Sequence, residues 1–242
     1  MVSHQRPGLY AERTPARGLW NGRATGPLPL SGGEGANNAV LRAAPFSHNF
    51  APFLDNRADC PPGERFKALA GVERPANTFI ASARKAGATD AELDFYGYSA
   101  GLPGGLYAFV SPDGIHWKRV GDQPVIAVPE GKAFDSQNVS FWSEAEGQYV
   151  AYVRTWRNPH TGGDGISSGL RTISRTTSPD FKKWSELVAM EPNLPGEHLY
   201  TSQTHPYFRA PHLYISTPTR YMPDRGSSTD ILFMTTRAGS TS

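Results

Sequence analysis

Three carboxylates in this chain of 242 residues stand where acid–base chemistry is feasible: Asp135, Glu197 and Asp55. Asp135 opens the run Asp135-Ser-Gln-Asn-Val-Ser-Phe-Trp142. Glu197 lies in Gly196-Glu-His-Leu-Tyr200, just ahead of Thr201-Ser-Gln-Thr-His-Pro-Tyr-Phe208. Asp55 follows Ser47-His-Asn-Phe-Ala-Pro-Phe-Leu54. Two carboxyl groups roughly 5–10 Å apart across one pocket can act as acid and as base or nucleophile on a glycosidic bond. Around them lie His48, Asn49, Gln137, Asn138, Tyr200, Gln203 and His205, mostly makers of neutral hydrogen bonds. Arg154, Arg171 and Arg220 sit at strand ends, where each either points inward or pairs on the surface. Carboxylates, amides and aromatics together suit a polyhydroxylated ligand. Each acid also has a plainer reading: a turn or cap for Asp135, a solvated loop for Glu197, and ordinary turn chemistry for Asp55 before Asn56-Arg-Ala-Asp59. No pair of histidines has metal-ligand spacing, and no metal or cofactor is expected.

The elements that must position these residues repeat along the chain. Ser111-Pro-Asp-Gly-Ile-His-Trp117 and Ser178-Pro-Asp-Phe-Lys-Lys-Trp184 share one pattern, and each follows a strand-like run, Gly105 to Val110 and Leu170 to Arg175. In such a turn the Asp accepts bonds from backbone amides, Pro presets φ, and Trp packs back across the strand pair. A third run, Asp230 to Gly239, has the same shape without the Trp. Upstream of these, the runs opening at Ser47, Asp135 and Thr201 are equivalent first strands. Glu64 to Ala70, Gln148 to Arg154 and His212 to Ser216 follow as second strands with alternating polarity. Each unit reads as a four-stranded antiparallel sheet, and radial repetition of such sheets makes a β-propeller whose first strands line the central channel.

An all-β protein is therefore expected, with residues 1–46 an irregular arm and 47–242 a partial propeller. Blade one covers 47–120 with an insertion at 72–104, in which Ala81 to Leu93 reads as a short surface helix. Blade two covers 134–188. Blade three covers 197–242 and is expected to be incomplete, which predicts self-association through exposed blade edges. Composition agrees: 38% hydrophobic, 11% aromatic, 25 Gly and 21 Pro favour many strands and turns over long helices. A net charge of +2 argues against a nucleic-acid groove. A single cysteine, Cys60, excludes an internal disulfide and a cysteine-based zinc site. Thr161 to Ser168 is Gly-rich but lacks the Lys-Ser/Thr of a phosphate loop. No apolar run suits a bilayer span or a secretion signal, so no membrane partner is expected and the chain reads as soluble, cytoplasmic by default.

Asp135 to Glu144, Gly147 to Tyr152 and Ser178 to Trp184 together resemble the blade pattern of the five-bladed glycoside hydrolases, which include invertases, levansucrases, arabinanases and xylosidases. Asn49-Phe-Ala-Pro-Phe-Leu-Asp55 with Glu64 to Leu69 resembles the opening blade of less well described members. The resemblance implies three carboxylates: a blade-one aspartate as base or nucleophile, a blade-two aspartate that stabilises, and a blade-three glutamate as acid. Asp135 matches the second and Glu197 the third. The family's first position holds His48-Asn49 here, with Asp55 following later. The resemblance implies a truncated member that cleaves glycosidic bonds in a poly- or oligosaccharide. The rival expectations are a non-catalytic carbohydrate-binding or interaction propeller, or an inactive fragment.

Overall fold

Strand β3 (Gly105–Ser111) is buried along its whole length because apolar layers cover both faces of its sheet. Tyr107 and Phe109 point into one core with Phe46, Ala68, Ala70 and Trp117. Leu106 and Ala108 point the other way, into a core shared with Tyr149, Ala151, Val153 and Phe181. The computed structural model describes residues 46, 49–72, 81, 84–85, 87, 102–129, 133–161, 167–191 and 194–241, without the side chains of 72 and 158–168. The N-terminal arm up to 45, Ser47, His48, most of the insertion and the centre of the Gly-rich loop lie outside the described residues, and of the expected helix Ala81 to Leu93 only 81, 84, 85 and 87 are described, the first three of them helical. Among the described residues no helix is long and apolar enough to cross a membrane.

All strand pairs are antiparallel. The first sheet runs β1 (Ala51–Leu54), β2 (Phe66–Val72), β3, β4 (Lys118–Arg119), with β5 (Ile126–Ala127) paired to the start of β3. There β5 approaches so closely that a Cβ on Gly105 would lie 2.5 Å from the Ile126 carbonyl, so only glycine fits. The second sheet runs β6 (Val139–Ser143), β7 (Gln148–Thr161), β8 (Ser167–Ser178), β9 (Val188–Ala189). A third joins β11 (His205–Tyr207), β12 (Ala210–Ser216) and β15 (Met234–Arg237). A small sheet of β10 (His198–Leu199), β13 (Thr219–Met222) and β14 (Ser228–Ile231) lies in sequence around it.

The sheets stack face to face. On β7, Tyr149, Ala151 and Val153 pack toward the first sheet, while Val150 and Tyr152 pack with Phe141, Ile173 and Tyr214 toward the third. Innermost strand β6 lies against both β1 and β11. This is the radial blade arrangement expected, with two refinements. β7 carries a continuous apolar run at Tyr149 to Val153 rather than alternation, because both of its faces are covered. The run Asp230 to Gly239 is not one strand: its beginning ends β14 and its end forms β15, because the β13–β14 hairpin, turned through Gly226 (φ 67°), pairs its first residues elsewhere.

The two Ser-Pro-Asp turns are equivalent. Asp113 Oδ1 accepts from the amides of Ile115 and His116, and Asp180 Oδ1 from those of Lys182 and Lys183. Trp117 and Trp184 donate their indole N–H to the carbonyls of Gly114 (2.9 Å) and Phe181 (3.3 Å). Gly114 takes the left-handed conformation without cost (φ 76°), whereas Phe181 takes it as a bulky residue (φ 65°). Its ring, 2% exposed among Phe53, Tyr149 and Trp184, offsets that strain.

One device joins each sheet to the next. Asp55, just after β1, accepts the phenol O–H of Tyr149 on β7 (2.6 Å), and Lys67 of β2 lies 2.8 Å from the same oxygen. Glu146, in the turn between β6 and β7, accepts the phenol O–H of Tyr214 on β12 (2.6 Å) and pairs with Arg175 of β8. In both, a carboxylate from the first turn of one sheet binds a tyrosine on the second strand of the next, and a cation of its own sheet neutralises it. Burial pushes both carboxyls up, but Lys67, Tyr149 and the Arg57 amide hold Asp55 below its ordinary range. Tyr214, Arg175 and the Gly239 amide do the same for Glu146.

Removing the Asp55 carboxylate leaves Lys67 buried without its counter-charge, so Asp55→Ala should lose about 3–5 kcal/mol in urea unfolding. Asp180→Ala, which frees two turn amides and the Ser178 hydroxyl, should lose about 1 kcal/mol in the same assay. The depressed carboxyls stabilise the fold fully above their unfolded values, near pH 4, and that stability vanishes as pH falls through the lower folded values. Thermal midpoints should therefore be flat with respect to these groups from neutral pH down to about pH 5 and drop below about pH 4.

Candidate functional site

The starts of the three inner strands enclose a cavity of about 600 Å³, lined by Asn49, Phe50, Phe53, Gln137, Phe141, Gln203 and His205 among others. That volume is in the usual range for a small-molecule site. Asn49 and Gln203 reach it from left-handed backbone positions (φ 59° and 48°), which turn each chain into its inner strand. The Nδ2 of Asn49 is buried without a hydrogen-bond partner. Of the residues singled out in the sequence, Asn49, Gln137, Gln203 and His205 come together here.

Asn138 does not join them. It is 1% exposed, donates to the carbonyls of Phe134 and Ser136, and accepts from the amide of Arg154, so it pins the bend before β6. Asp55 is also elsewhere. Its side chain is fully buried in the joint between the first two sheets, with every oxygen engaged. Asp55, expected as a catalytic carboxylate, is thus committed to a buried ion pair inside a sheet interface and does not line the cavity. Nearby Cys60 has its thiol pushed up by burial and by Asp55.

Asp135 belongs to a second cluster, and Glu197 to an ion-pair group with Arg220 and Asp230. Arg154 and Trp156 share a face of β7 two residues apart, and Arg171 of β8 is the register partner of Trp156. Asp135 accepts the Trp156 indole N–H at 3.1 Å and lies 3.5 Å from the Arg154 Nε. The Arg154 guanidinium, 1% exposed, donates to the Tyr200 carbonyl at 2.6 Å and stacks on the rings of Trp156 and Tyr200. Arg171 lies over Tyr221, Trp156 and Tyr200 at 4.5, 4.8 and 5.6 Å. Glu197, its side chain 6% exposed, pairs with Arg220 at 3.3 Å, and Arg220 also grips Asp230, its register partner. Asp135 and Glu197 are thus each tied to an arginine, and neither lines the inner-strand cavity.

Trp156 and Tyr221 are the residues that sequence reasoning missed. For Trp156 the signal was present, since a residue two places from Arg154 on a strand shares its face. For Tyr221 no signal existed, because β13 meets β8 only through the fold. Among the described residues no three His, Cys, Asp or Glu side chains converge as metal ligands would. Replacing Arg154 by Met should leave Asp135 and the Tyr200 carbonyl without their buried donor. The expected outcome is a loss of about 3 kcal/mol in urea unfolding.

No known family profile matches this chain, and no curated protein is similar to it in sequence. Several solved structures are similar to it, two of which follow. An alpha-L-arabinanase of Penicillium chrysogenum, complexed with arabinobiose, shares 12% identity over 77% of this chain and 45% of that one, with a TM-score of 0.40. An exo-beta-1,3-galactanase of Clostridium thermocellum shares 14% identity over 81% of this chain and 37% of that one, also with a TM-score of 0.40. The chain thus spans less than half the length of either of these enzymes.

Proposed function

We propose that this protein binds a glycan chain in the cavity at the inner strands. The observation that carries this reading is the convergence of Asn49, Gln137, Gln203 and His205, from three different sheets, on one cavity walled by phenylalanines. Amides and an imidazole match hydroxyl donors and acceptors, and flat rings pack against the C–H faces of a sugar. Isothermal titration against a panel of neutral oligosaccharides tests it. The double variant Gln137→Ala, Gln203→Ala should bind roughly tenfold or more weakly while keeping its thermal midpoint. A panel with no binder would end the reading.

Hydrolysis is the second reading, favoured by the presence of two shielded carboxylates beside the exposed Tyr200. Asp135 would stabilise positive charge on the sugar and Glu197 would protonate the leaving oxygen, with Asp55 no longer in the set. Glu197→Gln abolishing reducing-sugar release, with binding intact, would establish it.

Self-association accompanies either reading. Strand β15 pairs only with β12 among the described residues, and Phe208, Ile231 and Phe233 are 78, 75 and 72% exposed. Sedimentation velocity should show concentration-dependent association that Ile231→Lys with Phe233→Lys reduces.

A further inference from the structure

Two arginines, Arg154 and Arg171, enter the aromatic cluster, and a third, Arg220, precedes Tyr221 on β13. Arg154 pairs with Asp135, and Arg220 with Asp230 and Glu197. Arg171 has no carboxylate within ion-pair distance among the described residues, and its Nε is buried without a hydrogen-bond partner. Its contacts are the rings of Tyr221, Trp156 and Tyr200. Rings hold a guanidinium by its faces and satisfy none of its N–H groups, so the edge remains able to receive an oxyanion in its plane. The imidazole of His198, whose Nδ1 accepts from the Arg171 amide, is held below its ordinary range, by burial first and then by Arg171 and Arg154. Tyr200, 40% exposed, puts the cluster at the surface.

From this geometry we infer that Arg171 is an oxyanion subsite that selects acidic sugars, those bearing a uronate carboxylate or a sulfate ester. The inference rests on the glycan reading and narrows it. A planar fork meeting a carboxylate or sulfate makes two charge-assisted bonds, while the rings of Trp156, Tyr200 and Tyr221 fix the fork in place. A neutral sugar at the same position leaves the guanidinium edge unpaired.

The test is titration calorimetry on the full chain with methyl β-glucuronide, glucose 6-sulfate and methyl β-glucoside, beside the neutral oligosaccharides. One or both anionic sugars should bind roughly tenfold tighter than the glucoside. The preference should shrink as NaCl rises from about 50 to 500 mM. Arg171→Gln should erase it and Arg171→Lys keep part of it, with thermal midpoints reported for both. Which anion binds distinguishes carboxylate from sulfate. Should Arg171→Gln not fold, the wild-type preference and its salt dependence decide. Equal binding of all three monosaccharides, no binding of either anion, or an undiminished preference in a folded Arg171→Gln overturns the subsite. Neutral oligosaccharide binding without acidic preference would leave the cavity reading standing. Acidic monosaccharide binding without any oligosaccharide binding would leave the subsite and end the cavity reading.

Discussion

Burying a carboxylate between two β-sheets is costly unless a cation and hydrogen-bond donors come with it, and this chain does so at both of its large sheet interfaces. Asp55 with Lys67 and Tyr149, and Glu146 with Arg175 and Tyr214, are the same device used twice. Apolar stacking alone is non-directional, and two flat faces could slide or rotate against each other. A phenol reaching across to one carboxylate oxygen selects one offset and one angle. The price of that selectivity is sensitivity, since removal of either charge strands the other in a dry joint.

Everything near the candidate site inherits its geometry from those joints. The inner cavity exists because β1, β6 and β11 are brought side by side, so that Asn49, Gln137 and Gln203 converge although they lie far apart in the chain. The arginine–aromatic cluster depends on the second joint in the same way. Arg154, Trp156 and Arg171 come from the second sheet, and Tyr200 and Tyr221 from the segments beyond it, so the stack forms only when β10 rests beside β8. Charge is distributed unequally within it. Asp135 answers Arg154, and Arg171 is left to aromatic faces.

Much of the architecture was legible in the residues. The Ser-Pro-Asp turns with their tryptophans marked two equivalent hairpins, because that geometry is local: the Asp, its amide donors and the Trp carbonyl partner lie within a few residues. The antiparallel strands followed from polarity patterns, and the cavity residues Asn49, Gln137, Gln203 and His205 from the equivalence of first strands. The apolar run of β7 departed from alternation for a reason that sequence cannot express, namely that a sheet covers it on each side. The break between Ile231 and Met234 likewise depends on which strand each half can pair with.

Asp55 shows where the boundary falls. By sequence it is an acid ending a channel strand, close to where the resemblance asks for a carboxylate. Its neighbours along the chain could not say that Tyr149, far away, would claim one oxygen and Lys67 the same one. Local chemistry, meaning turns, strand faces and the polarity of a first strand, was determined by the sequence itself, because its partners sit within one hairpin. The role of each charged group was decided by tertiary structure, because a carboxylate is structural or available according to which distant donors reach it and how much water is excluded.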